Sequence, residues 1–261
     1  MFAYDFIRRA FLVGSILAVI LPLIGLPIVL KRQSMLGDTL AHSSLAGVSA
    51  GLAFGFDPLV GSVVGCVMAA TTTQLISEKL KDYKEISAVI ILGASIGLAG
   101  VFASLCDSSA SINSYLFGSI VTISDTELYL VLGIAACVLA SIKYLYVRLY
   151  LSVFDSEAAS NLGINENKLG FVFSLLVAVS VSIAAKTIGS LIVSSLLVLP
   201  VILAMQYCKT YKQTIILACI LSMIFVWLGL IISYFYDLKP GSVIVLIATI
   251  VLLASLFIPK K

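Results

Sequence analysis

Charge is what this chain most conspicuously does without. Asp, Glu, Lys and Arg make up 11% of its 261 residues, while 61% are hydrophobic and the mean hydropathy is +1.17. A soluble domain carries about 25% charge and about 45–50% apolar residues. An aqueous fold is therefore excluded, because no globular interior of this length hides so much apolar surface. The net charge is only +3, and its cations are spread through short joins, which fits membrane topology and not nucleic-acid binding. Five cysteines, Cys66, Cys106, Cys137, Cys208 and Cys219, are scattered without a Cys-x-x-Cys pair. They read as small apolar residues inside helices. The patterns Gly-x-x-x-x-Gly-Lys-Ser/Thr, Gly-x-Ser-x-Gly and His-Glu-x-x-His are all missing. The chain has no phosphate loop with which to hydrolyse ATP, and its single histidine is too few for a metal-dependent intramembrane protease.

What is present is a row of apolar windows near 10–30, 34–56, 59–77, 86–106, 128–149, 169–185, 187–207, 214–235 and 242–258. Each approaches the ~17–25 residues that cross a bilayer. They predict an all-α integral membrane protein, a polytopic bundle of about 8–9 transmembrane helices, built as one domain over residues 1–261. The first window follows Arg8-Arg9 and runs to Lys31-Arg32 without a small-residue cleavage site, so it reads as a retained helix. Lys31/Arg32, Lys79/Lys81/Lys84, Lys143/Arg148/Lys168, Lys209/Lys212 and Lys260/Lys261 fall on alternate joins. The positive-inside rule places these in the cytoplasm and makes the chain N-out and C-in, with Arg8 and Arg9 against it.

Small residues recur every four positions: Gly47, Gly51 and Gly55, then Gly61 and Gly65, then Gly93 and Gly97. In lipid such stripes let helix backbones approach closely. The 107–127 connection has no cation and contains Ser114 to Ile120, which reads as a short re-entrant or interfacial helix. In the join from Leu151 to Lys168, Asp155 and Ser156 precede Glu157-Ala158-Ala159, a good helix start, and Gly163 after Leu162 is a good stop. A helix of about two turns on the cytoplasmic face follows. It is either a capped surface turn or a docking element for a cytoplasmic partner.

The lone histidine, His42, lies four residues after Asp38. On a helix, positions i and i+4 stack on one face. With the helix starting near Gln33, His42 sits roughly 13 Å from the cytoplasmic end, close to the midplane of a ~30 Å hydrocarbon layer. Ionisable groups at that depth are costly and mark transport paths. An imidazole and a carboxylate suit Zn²⁺, and also Mn²⁺ or Fe²⁺. One pair from each of two copies supplies four ligands. A proton relay is a second reading of the same pair. Thr39, Ser43 and Ser44 beside it are expected to bond back to helix carbonyls. Asp237 offers an entrance acid for cations or, the favoured reading, a cap for the helix after Pro240.

Four blocks resemble the membrane permeases of ATP-binding-cassette importers for zinc, manganese and iron. They are Arg32 to Gly47, Tyr115-Leu116-Phe117-Gly118 with Ser124 to Leu128, Ile188 to Pro200, and Tyr234 to Asp237 with Pro240-Gly241. They occur in family order over nearly the whole chain. The resemblance implies a bundle like those of cobalamin- and siderophore-type importers. It implies a homodimer in a bacterial inner membrane, with two ATPase subunits and an extracytoplasmic metal-binding protein. Asp38 and His42 match the residues that would meet the ion. Asp155, Glu157, Ala158, Leu162 and Gly163 match the element that docks the ATPase. No permanent cofactor is implied, only a transported ion, Zn²⁺ first and Mn²⁺ or Fe²⁺ second, and ATP hydrolysis belongs to a separate subunit. Zinc permeases of this family can carry a second histidine in the fourth helix. The corresponding stretch, Leu92 to Gly97, has none. A stand-alone proton-coupled carrier is the competing class.

Overall fold

The computed structural model describes residues 5–80, 84–105 and 125–257. Within them lie ten helices: α1 (Asp5–Leu30), α2 (Met35–Phe54), α3 (Pro58–Lys79), α4 (Lys84–Ser104), α5 (Asp125–Phe154), α6 (Ser156–Asn161), α7 (Glu166–Ile188), α8 (Ser190–Tyr207), α9 (Tyr211–Tyr236) and α10 (Pro240–Leu256). No strand occurs among the described residues. The re-entrant helix expected at Ser114 to Ile120 lies outside them.

Seven helices are long and apolar enough to cross a membrane: α1, α3, α4, α5, α7, α8 and α9. The windows at 34–56 and 242–258 form α2 and α10 but stand apart from this group. At 17 residues α10 is short, about 25 Å against a hydrocarbon layer of ~30 Å. For α2 the reason is polarity: it carries Asp38, Thr39, His42, Ser43, Ser44 and Ser49 within 20 residues, 13 of which are buried. Wrapped by α3, α4, α7 and α8, it is solvated by protein and needs little lipophilic surface.

Successive long helices run in alternating directions. Lys31, just past α1, donates from Nζ to Ser152 Oγ near the end of α5 at 2.8 Å. Ser255 at the end of α10 donates to Gln206 Oε1 at the end of α8 at 3.2 Å. Tyr211, which opens α9, packs against Tyr150 and Phe154 at centroid distances of 5.5 and 6.1 Å. Among the described residues, the ends of α1, α5, α8 and α10 and the start of α9 thus share one end of the bundle, as the alternation of basic joins along the chain predicted.

Between lipid-solvated helices apolar burial supplies little drive, so close backbone approach and interhelical hydrogen bonds hold the bundle. A Cβ on Gly47 would stand 2.0 Å from Gly61 O, and one on Gly61 would stand 2.2 Å from Gly47 O. Gly65 meets Ser43 O at 2.6 Å in the same way, and Gly51 meets Pro58 Cα at 3.0 Å. The α2–α3 stripe is therefore a backbone-to-backbone seam, closed by a tight turn. Gly55 takes φ 76°, Asp57 Oδ1 accepts the Leu59 N–H at 2.7 Å, and Pro58 opens α3. Two parts of the glycine reading need correcting. A Cβ on Gly55 would meet no described atom, and Gly55 serves as the left-handed residue that ends α2. A Cβ added to Gly93 or Gly97 on α4 would touch no described atom, because that face of α4 points away from the bundle.

Candidate functional site on helix α2

Arg32, at φ 55°, turns the chain sharply out of α1. The turn is held by Gln33 N–H to Ile28 O at 2.9 Å and Arg32 N–H to Val29 O at 3.0 Å. Helix α2 then begins at Met35, two residues later than the expected Gln33, since residues 31–33 serve the turn. Asp38 sits in the first turn of α2, where the positive end of the helix dipole favours a carboxylate.

Asp38 Oδ1 and His42 Nε2 stand 3.9 Å apart, with side-chain exposures of 39% and 22%. That is too long for a hydrogen bond. Two donors held about 2.0–2.2 Å from one ion stand roughly 3–4 Å from each other, so the spacing admits a shared cation. The setting is selective: from Leu36 to Ser49, every residue except Asp38 and His42 is buried. They form a notch in a helix that is otherwise enclosed.

Each wall of α2 can be traced to its sequence. The Gly37 side abuts α8, its missing methyl meeting the Leu197 side chain and Ser194 Cα at 3.5 and 3.9 Å. On the opposite flank Thr39 Oγ1 reaches both Met35 O, at 2.8 Å, and Ala88 O of α4, at 3.0 Å. Ser43 Oγ donates to Thr39 O at 2.7 Å and lies 2.6 Å from Ser95 Oγ of α4. Ser44 Oγ pairs with Ser62 Oγ of α3 at 2.8 Å, and Cys66 Sγ lies 3.2 Å from Leu40 O. Of the hydroxyls expected to bond back to their own helix, Thr39 and Ser43 do so. The links across to α3 and α4 carry no local signal, because Ser62 and Ser95 meet α2 only once the helices have packed. Above the notch, Leu45 and Ala46 join Ala99 of α4 in a small apolar cluster of their own.

No group of three or more His, Cys, Asp or Glu side chains exists among the described residues. Among the described residues, Asp38 and His42 are thus a pair of potential donors without a third beside them. The Leu92–Gly97 stretch contributes only Ser95 to this neighbourhood, through Ser43.

The other two groups of candidate residues lie elsewhere. Asp155 Oδ1 accepts the Ala158 N–H at 2.8 Å and caps α6, Leu162 ends it, and Gly163 leaves with φ 75°. Ala159 is tucked in at 0% exposure while Leu162 stands out at 68%, and Glu157 is exposed. Asp237 does not cap α10. It ends α9 in the left-handed conformation, φ 54°, its N–H donating to Ser233 O. Lys239, not Asp237, holds the N-cap position before Pro240.

The family model described as the ABC 3 transport family matches residues 3–259. This chain belongs to that family. The permease is 32% identical over 253 residues to a protein of Treponema pallidum (strain Nichols) named as a probable metal transport system membrane protein, covering 97% of this chain and 95% of that one. It is 29% identical to the high-affinity zinc uptake system membrane protein ZnuB of Haemophilus influenzae, covering 97% and 98% of the two chains. It is 26% identical to the manganese transport system membrane protein MntC of Listeria monocytogenes, covering 99% and 92%. Among solved structures, it superposes on a chain of PsaBC from Streptococcus pneumoniae in complex with Fab with a TM-score of 0.87 at 25% identity, covering 99% and 94% of the chains. The inward-facing conformation of a metal-chelate type ABC transporter shares the fold alone, with a TM-score of 0.76 at 16% identity over 96% and 85% of the chains. The permease is thus a multi-pass membrane protein of the metal-importing ABC class.

Proposed function

We propose that this permease carries a divalent metal ion across a bacterial inner membrane, Zn²⁺ first and Mn²⁺ or Fe²⁺ second. Two copies form the pathway, two ATPase subunits attach at the basic end, and an extracytoplasmic metal-binding protein delivers the ion. The reading is carried by one observation: Asp38 and His42, 3.9 Å apart, are the only open side chains along the enclosed run of α2. Two donors per chain become four when a second copy faces the first, which matches the coordination number of zinc. Relatives named for zinc and for manganese both align over nearly the full length, and an O/N donor pair accepts either metal. The missing fourth-helix histidine leaves manganese and iron in contention.

In this mechanism the ion arrives from the delivery protein and exchanges part of its water shell for both Asp38–His42 pairs. Closure of the ATPase subunits pushes on α6, through exposed Glu157 and Leu162 and half-buried Ala158, held between the Asp155 cap and Gly163. The helices rotate from an outward- to an inward-facing packing, a population shift between two arrangements driven by nucleotide binding. Vesicles reconstituted with the ATPase and the metal-binding protein test it. ATP-dependent uptake of Zn²⁺ is expected for the native chain and none for His42→Ala, although that variant inserts normally. Normal uptake by His42→Ala removes the site, and uptake without the ATPase removes the importer. Competition among Zn²⁺, Mn²⁺ and Fe²⁺ in the same vesicles ranks the cargo.

A further inference from the structure

At the basic end of the bundle a cleft of about 350 Å³ opens between α5 and α7. Arg148 and Lys168 are its only charged lining residues, Leu145, Leu169 and Val172 form its apolar floor and flank, and Leu162 with residues 163–165 closes its rim. We infer that this cleft seats the phosphodiester headgroup of an anionic phospholipid. The inference does not rest on which ion the permease carries.

Four observations support it. Both cations are exposed, and neither forms an ion pair with any described carboxylate. Glu157 and Glu166 line neighbouring clefts and not this one. The guanidinium of Arg148 is steered by stacking over the Tyr144 ring, 5.3 Å from its centroid, so it is held in place before any anion arrives. Beside it is the first turn of α7, where the Asn165 Oδ1 cap takes the Lys168 N–H at 3.1 Å and the dipole of a 23-residue helix adds positive potential.

The depth is that of a headgroup. The 30 residues of α5 span about 45 Å, some 15 Å more than the hydrocarbon layer. Arg148 lies six residues before its end at Phe154, roughly 9 Å, and so reaches the interface. Tyr146, Tyr150, Phe154 and Tyr211 cluster at the same level, as aromatic belts do. From the cations the cleft runs along Leu145 and half-exposed Val172 toward the hydrocarbon, which gives an acyl chain a place to lie. Charge above and apolar wall below suit one amphiphile better than a free anion, and basic pockets between helices on the cytoplasmic side bind such headgroups. Because the rim is the turn that follows α6, a seated lipid braces the docking helix from behind.

The test uses the full chain released from nanodiscs of mixed phosphatidylglycerol and phosphatidylcholine, with bound lipid read by native mass spectrometry. The native chain is expected to retain phosphatidylglycerol selectively. Arg148→Gln and Lys168→Gln should each reduce that preference about fivefold, Arg148→Lys should largely keep it, and Lys143→Gln, outside the cleft on the same helix, should leave it unchanged. Both residues are exposed, so these variants keep the native elution volume and helicity. The inference is overturned by an undiminished preference in the double Gln variant or by equal loss in Lys143→Gln, which marks diffuse surface charge. Displacement of the lipid by millimolar inorganic phosphate also overturns it, by making the site one for a soluble anion. Loss of ATPase co-purification with lipid retention unchanged overturns it too, by giving the cleft to the partner subunit.

Discussion

Helices α2 and α4 lie side by side, both with glycines four residues apart, and they use them in opposite ways. On α2 the glycines vanish into a seam with α3, carbonyl against missing methyl at 2.0 Å. On α4, a Cβ at Gly93 or Gly97 would meet no described atom, and only 22% of the apolar window of that helix is buried. A small-residue stripe licenses a close approach and does not say whether this chain supplies the partner. Polarity separates the two helices. The hydroxyl-rich sequence of α2 is stable in a membrane when protein covers most of it, whereas α4 is apolar enough to face lipid. The covered helix is the one that carries the ionisable pair.

The comparison breaks most visibly at the seam. Gly47→Val should abolish the folded bundle, because the added carbons must occupy the place of Gly61 O. Gly93→Ala in the same assay should cost less than about 0.5 kcal/mol. Recovery of purified, monodisperse protein reads both, and equal yields would deny that the stripes differ. Next in size is function without folding: Asp38→Asn should reduce metal uptake at least tenfold while leaving yield and elution volume untouched. Smaller again is the hydroxyl link between α2 and α4. Ser95→Ala should destabilise by roughly 0.6 kcal/mol, the typical worth of an interhelical hydrogen bond in a membrane, seen as a modest drop in thermal midpoint. The smallest effect should come from Leu162→Ala, which removes an exposed side chain from the α6 turn. Stability should stay within about 0.5 kcal/mol, and only transport-coupled ATP hydrolysis should fall.

Much of this was open to reading in the residues because hydropathy and cap chemistry are local. Windows of apolar length became helices, Asp155 capped a short helix, and Gly163 released it. Asp38 and His42 share a face because an i, i+4 interval requires it. The misses depend on what lies across space. Gly93 looks like Gly47 until the neighbours are known. Asp237 lies near the start of the helix after Pro240 and so reads as a cap, yet it is the left-handed end of α9 and Lys239 holds the N-cap position. The isolation of Asp38 and His42 within α2 depends on four other helices, so no stretch of sequence displays it.

On the proposed Asp38–His42 site, two donor atoms from each copy leave most of an ion's inner sphere to water or to the second copy. A complete cage of soft ligands would rank metals by the stability order that ends in copper and would release the winner slowly. A sparse grip does neither. On the proposed site, selectivity is exercised upstream, in whatever hands over the cargo, and the membrane step is free to be fast and indiscriminate.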